Sequence, residues 1–89
     1  MHAAGELDLK TVEPFRVMVT KAVNSACAAR VVVDLRDVTF IDSTALGVLV
    51  RAHNRLTTQK RHLTVRTKHP LVLHLFEITG LTDLLDIQD

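Results

Sequence analysis

The chain has no tryptophan and no tyrosine, and phenylalanine occurs three times in 89 residues. With so little to stack on bases and a formal net charge of +1, nucleic acid is disfavoured as a direct ligand. Cysteine occurs once, at Cys27, so no intrachain disulfide can form and a reducing, cytoplasmic compartment is the simplest expectation. A single thiol in an alanine-rich segment reads as packing. No apolar run approaches the roughly 20 residues of a membrane span, so no membrane partner is expected. The opening MHAAGELD carries acids where a secretory signal needs basic and then apolar residues. Glycine and proline number three and two, and neither linker, repeat nor low-complexity segment is visible.

What is present is 47% hydrophobic and 24% charged, a balance that folds rather than stays disordered. The length allows one domain, 1–89, and a domain this small buries a smaller share of its surface than a typical one, so modest stability is expected.

From Thr11 to about Ala28, Val12, Phe15, Val19, Val23 and Ala26 recur at three- and four-residue steps and predict an amphipathic helix. Pro14 falls in its first turn, where a missing N–H costs least, and Asp8 or Thr11 could cap it. Arg30 to Leu35 is β-branched and apolar on both alternating faces, which predicts a strand covered on both sides. RDVTFID then reads as a connection. A second helix is predicted from Ser43 to about Thr58, with Leu46, Leu49, Val50, His53 and Leu56 on one stripe and Gly47, Arg51, Asn54, Arg55 and Thr58 opposite. HLTVRT alternates as a strand, Pro70 opens a third helix, Gly80 suits the C′ position that ends it, and LTDLLDIQD can supply a short last strand. Helices alternating with strands imply right-handed crossovers and a small, mostly parallel α/β sheet with helices packed on it.

The stretch FIDSTALGVLV, residues Phe40 to Val50, places an acid and two hydroxyls immediately before a strongly apolar helix. One reading is structural: Ser and Thr are favoured N-caps, and Asp42 beside the positive end of the helix dipole is stabilising. That accounts for one hydroxyl, not for an acid with two. The other starts from position, since a loop between the C-terminal end of a parallel strand and a helix is where α/β proteins hold ligands. Backbone N–H groups there favour an anion, and a phosphate on Ser43 would add roughly 1.5 to 2 negative charges and three acceptor oxygens next to Asp42.

VVVDLRDVTFIDSTALGVLV, the later LFEITGLTDLL, and GELD at Gly5 to Asp8 together resemble the STAS domain of bacterial anti-sigma factor antagonists, in the family's order and spacing over nearly the whole chain. The resemblance implies a STAS (SpoIIAA-like) fold and a non-enzymatic domain without a cofactor. It further implies binding to an anti-sigma factor with serine kinase activity, which frees a sigma factor for transcription. Ser43 corresponds to the family's phosphorylated hydroxyl, Thr44 to its neighbour, Asp42 to the acid before it, and Asp8 to an acid of the first motif near the site. Phosphorylation by the kinase would release the partner and a serine phosphatase would restore binding. The helix from Ser43 would form the docking face, with Gly47, Arg51 and Arg55 as contacts, although Arg51 and Arg55 read equally as a solvated helix face.

Three departures from the family's pattern stand out. Only Met1 to Ala4 precede GELD where members have a strand pair, the chain stops at Asp89 where members have a further helix, and Ala45 replaces a frequent glycine. The chain thus reads as shortened at both ends. An uncovered sheet edge or apolar face is expected to favour association with a second copy or a partner. Ala45 is expected to stiffen the phosphoacceptor turn.

Other chemistry is poorly supported by the spacings. His53, His62, His69 and His74 lack partners at metal-ligand spacing, no metal site is expected, and no phosphate-binding G-x-x-x-x-G-K-[ST] loop occurs. Asp34, Asp37 and Asp42 suggest a receiver-type acidic pocket, but the paired acids after a first strand are missing. A hydrolase using Ser43 would need a base, and His53 lies roughly 15 Å along the helix at 1.5 Å per residue. Two alternatives to the switch remain: a scaffold that binds a transporter ATPase or signalling assembly constitutively, and a protein that holds phosphate or nucleotide reversibly at the helix start.

Overall fold

The structure is a computed structural model that describes residues 2–25 and 29–88. The expected end of the first helix and Cys27 lie outside these residues. Four strands and four helices follow one another as β1 (His2–Leu7), α1 (Val12–Ser25), β2 (Arg30–Ile41), α2 (Ser43–Thr58), β3 (His62–Arg66), α3 (Pro70–Ile78), α4 (Leu81–Leu84) and β4 (Asp86–Gln88). All strand pairs are parallel and the sheet order β1-β2-β3-β4 follows the chain. This is the expected α/β architecture. The GELD segment supplies a strand itself, since Gly5, Glu6 and Leu7 complete β1. The tail first forms the helical turn α4 and only then the short strand β4.

Crossovers of one hand that step in one direction across a sheet lay their helices on one face, and the burial of β2 matches. Val31, Val33 and Leu35 are buried while Val32, between them, is 38% exposed. The expectation of a strand covered on both sides is therefore corrected. The uncovered face mixes the exposed apolar side chains of Val32 and Phe40 with polar and charged ones. Arg30 of β2 bonds to Asp86 of β4 at 2.7 Å and to the Thr64 hydroxyl of β3. Thr64 Oγ1 donates to the same Asp86 carboxylate at 2.8 Å, and His2 of β1 meets Asp37 of β2 at 2.7 Å.

A second correction concerns RDVTFID, which is not a connection but strand as far as Ile41, with Asp42 leading into α2. β2 advances three positions, from Asp34 to Asp37, while β1 advances two, from His2 to Ala4, and β2 advances two, from Val38 to Phe40, while β1 advances one, from Gly5 to Glu6. These register shifts break the two-residue alternation, so the buried side chains run Leu35, Val38, Ile41. Gly5 sits at the second shift with φ +84, a conformation that a side chain would strain.

On the covered face, Val12, Phe15, Val19 and Val23 of α1 are all buried, and α1 packs on α2. That contact widens the buried face of α2 beyond the expected stripe to include Ala45, Val48 and Ala52, while Val50 and His53 are only half-buried. α3 buries Val72 and Phe76 and packs on β2. His69 caps it through Nδ1, which accepts from the Leu71 N–H at 3.3 Å. Thr79 ends it, and Gly80 follows with φ +77, the left-handed C′ conformation. No helix among the described residues is long and apolar enough to cross a membrane.

Candidate functional site at the head of the second helix

The site is assembled by the pairing of β1 with β2. Leu7 is in register with Ile41, and the Asp42 N–H donates to the Leu7 carbonyl at 3.0 Å. The residues that leave these two strands, Asp8 on one side and Asp42 to Thr44 on the other, are thereby set side by side at the C-terminal edge of the sheet. The expected neighbourhood of Ser43, Asp42, Thr44 and Asp8 is one place in the fold.

Asp42, not a hydroxyl, is the N-cap of α2. Its backbone is extended at φ −104 and ψ −179, and its Oδ1 accepts from the Thr44 N–H at 3.0 Å and the Ala45 N–H at 3.1 Å. Ser43 is the first helical residue and is exposed, as is Thr44. Among the described residues neither hydroxyl makes a hydrogen bond. This alters the expected anion cradle, because the amides of Thr44 and Ala45 are already held by Asp42. Ala45 is fully buried, so its methyl group packs into the core.

Asp8 is occupied with its own turn. Its Oδ1 accepts from the N–H groups of Lys10 at 2.9 Å and Thr11 at 3.1 Å, and its carbonyl accepts from Val12 N–H at 2.8 Å. Desolvation raises the Asp8 pKa, but the backbone bonds from Lys10 and Thr11 outweigh it and hold the carboxyl below its usual value. Thr11 does not cap α1: its hydroxyl donates to the Glu6 carbonyl at 2.7 Å. The third helical position that a capping hydroxyl would serve is Pro14, which has no N–H.

Further along α2, Gly47, Arg51 and Arg55 follow Ser43 at successive four-residue steps and so lie along one stripe. A Cβ on Gly47 would meet Arg51 Nη2 at 3.9 Å, so the Arg51 guanidinium leans back toward the start of the helix. Arg51 and Arg55 also line a groove against α1, whose own arginine on that wall, Arg16, sequence reasoning missed. The signal was faint: Glu13 and Arg16 form an i,i+3 pair, which reads as ordinary helix-surface charge. Among the described residues no three His, Cys, Asp or Glu side chains gather as a metal site would require.

Residues 1–86 match the family described as "Mlab, STAS domain". The chain belongs to the STAS domain family. Its STAS domain is 31% identical over 87 residues to the anti-sigma-B factor antagonist of Bacillus subtilis, covering 98% of this chain and 78% of that protein. In fold it is similar to an anti-sigma factor antagonist from Mycobacterium paratuberculosis, with TM-score 0.89 at 22% identity over 98% of this chain and 73% of the other. It is also similar to the Bacillus cell fate determinant SpoIIAA in its phosphorylated form, with TM-score 0.70 at 19% identity over 99% and 79%.

Proposed function

We propose that this STAS domain is an anti-sigma factor antagonist, a binding module switched by phosphorylation of Ser43. The observation that carries the reading is the division of labour at the head of α2. Asp42 performs the capping, so the exposed Ser43 hydroxyl, without a hydrogen bond among the described residues, has no structural task. The similarity to proteins named as antagonists supplies the partner class, an anti-sigma factor. The similarity in fold to a protein solved in a phosphorylated form supports the reading.

In this reading the anti-sigma factor, acting as a serine kinase, transfers the γ-phosphoryl group of ATP. The Ser43 Oγ–P bond forms, the hydroxyl proton is lost and ADP leaves. The STAS domain supplies the acceptor and no catalytic group. The new phosphate stands beside Asp42 and Asp8, both acids, while Thr44 and Ala45 N–H remain bound to Asp42 Oδ1. It is therefore held at the surface rather than drawn into the helix start, and it presents its charge to whatever docks there. A phosphatase reverses the change. Gly47, Arg51 and Arg55, on the same stripe, are the contacts assigned to the kinase.

Incubation with the cognate kinase and ATP tests the reading. Acid-stable phosphate is expected on Ser43, absent from Ser43→Ala, together with weakened kinase binding by Ser43→Asp. Partner binding indifferent to Ser43→Asp, with no phosphate transferred, would leave a constitutive scaffold.

A further inference from the structure

Where α1 packs on α2 the two helices leave a groove of about 300 Å³. Its floor is aliphatic, made by Val19 and Val23 of α1 and Val48 and Ala52 of α2. Guanidinium groups stand on both walls, Arg16 on α1 and Arg51 and Arg55 on α2, and among the described residues no acidic side chain lines it. Arg16 is paired with Glu13 on its own helix. Arg51 and Arg55 are exposed and make no hydrogen bond or ion pair among the described residues.

From this arrangement we infer that the groove docks an acidic segment of the partner protein, an inference that deepens the antagonist reading and rests on it. The occupant sets two carboxylates about one helical turn apart against Arg51 and Arg55, and lays an aliphatic side chain on the valine floor. Charge complementarity fixes the choice. The guanidinium forks of Arg51 and Arg55 on the α2 wall match carboxylate geometry, often with two parallel bonds, whereas a basic or purely apolar segment would leave them unmatched. The groove also connects to the switch. Arg51 leans over Gly47, which is one turn from Ser43, so a phosphate at the head of the stripe competes with the partner's carboxylate for the same guanidinium. Ser43→Ala would leave the groove itself unchanged.

The probe is a synthetic amphipathic helical peptide with two Glu four residues apart and a Leu between them, titrated into the isotope-labelled full chain and followed by NMR. Amide shifts are expected at Val19, Val23, Arg51 and Ala52. Arg51→Gln and Arg55→Gln should each weaken binding about threefold, the scale of an exposed ion pair, while Lys68→Gln, outside the groove, should not. The same peptide with Gln in place of both Glu should bind roughly tenfold more weakly, the product of two such losses. Equal affinity of the Gln peptide, shifts confined to other faces, or no binding would each overturn the inference. Phosphate transfer is not read in this titration, so a failure of the groove is distinguishable from a failure of Ser43 as phosphoacceptor.

Discussion

At Asp42 a carboxylate takes the work that a hydroxyl does at many helix starts, and the two neighbouring side chains should differ sharply in what they contribute to stability. Asp42→Ala removes the acceptor for two amide donors and should cost about 0.5–2 kcal/mol, the usual range for a lost N-cap. Ser43→Ala removes an exposed hydroxyl that bonds nothing among the described residues and should stay within about 0.5 kcal/mol. Urea denaturation of both variants checks this, and a Ser43→Ala penalty as large as that of Asp42→Ala would return the hydroxyl to a structural role. Acid stability is also set by single residues. Hydrogen bonds from the Arg36 guanidinium, and then from the Arg36 backbone N–H, hold the Asp34 carboxyl well below the usual range. A depressed carboxyl stabilises the fold above its unfolded pKa of about 4, and that contribution disappears as pH falls through the lower folded value. The difference in urea midpoint between the parent and Arg36→Gln should therefore be largest near neutrality and shrink below about pH 4. A gap that stays constant on acidification would mean that Arg36 acts on stability through something other than Asp34.

Among the elements, α2 shows the clearest agreement between pattern and structure and β2 the clearest disagreement. Ser43–Thr58 follows its apolar stripe because one period governs it from end to end. β2 changes period at each register shift, so RVVVDL was visible as strand and RDVTFI was not; only its pairing with β1, far away in sequence, keeps that segment extended. The site was legible for a related reason: an acid followed by two hydroxyls marks a helix start whatever its function. Which of the three would cap was not legible, since Asp, Ser and Thr are all good caps and only the backbone geometry at Asp42 decides among them. Arg16 was missed because its importance comes from the packing of α1 on α2, which neither helix's own pattern encodes. Gly47 gives a test at this scale. It lies in the interior of α2, and an added Cβ would meet Arg51 Nη2 at an ordinary 3.9 Å. Gly47→Ala should therefore stabilise the domain by about 0.5–1 kcal/mol, through the helix propensity gained. A lower melting temperature for this variant would show that the lane beneath Arg51 is too narrow for a methyl group.

Over the whole molecule the decisive feature is a sheet with one covered face, because every side chain that can enter the core must do so from the same side. The alternation of helices and strands made the parallel α/β layout legible in the sequence. It did not distinguish one covered face from two, since Val32 is as apolar as Val31 and Val33; the difference lies in the side it is on, where it is in register with Thr64 and stays 38% exposed. With a single core, the anchoring of α3 carries unusual weight. Val72 and Phe76 are its only buried residues, and Phe76 is fully enclosed. Phe76→Ala should cost about 3–5 kcal/mol, a large part of the 5–15 kcal/mol that holds a typical domain together. At roughly 4–8 °C per kcal/mol for a domain of this size, the melting temperature should drop by more than about 12 °C. Ile78→Ala on the same helix, where the side chain is 63% exposed, should change stability by no more than about 0.5 kcal/mol. Calorimetry of the pair separates anchoring from helix propensity, because both substitutions favour the helix and only one empties the core. Equal melting temperatures for the two variants would mean that α3 rests on the sheet without being held by Phe76.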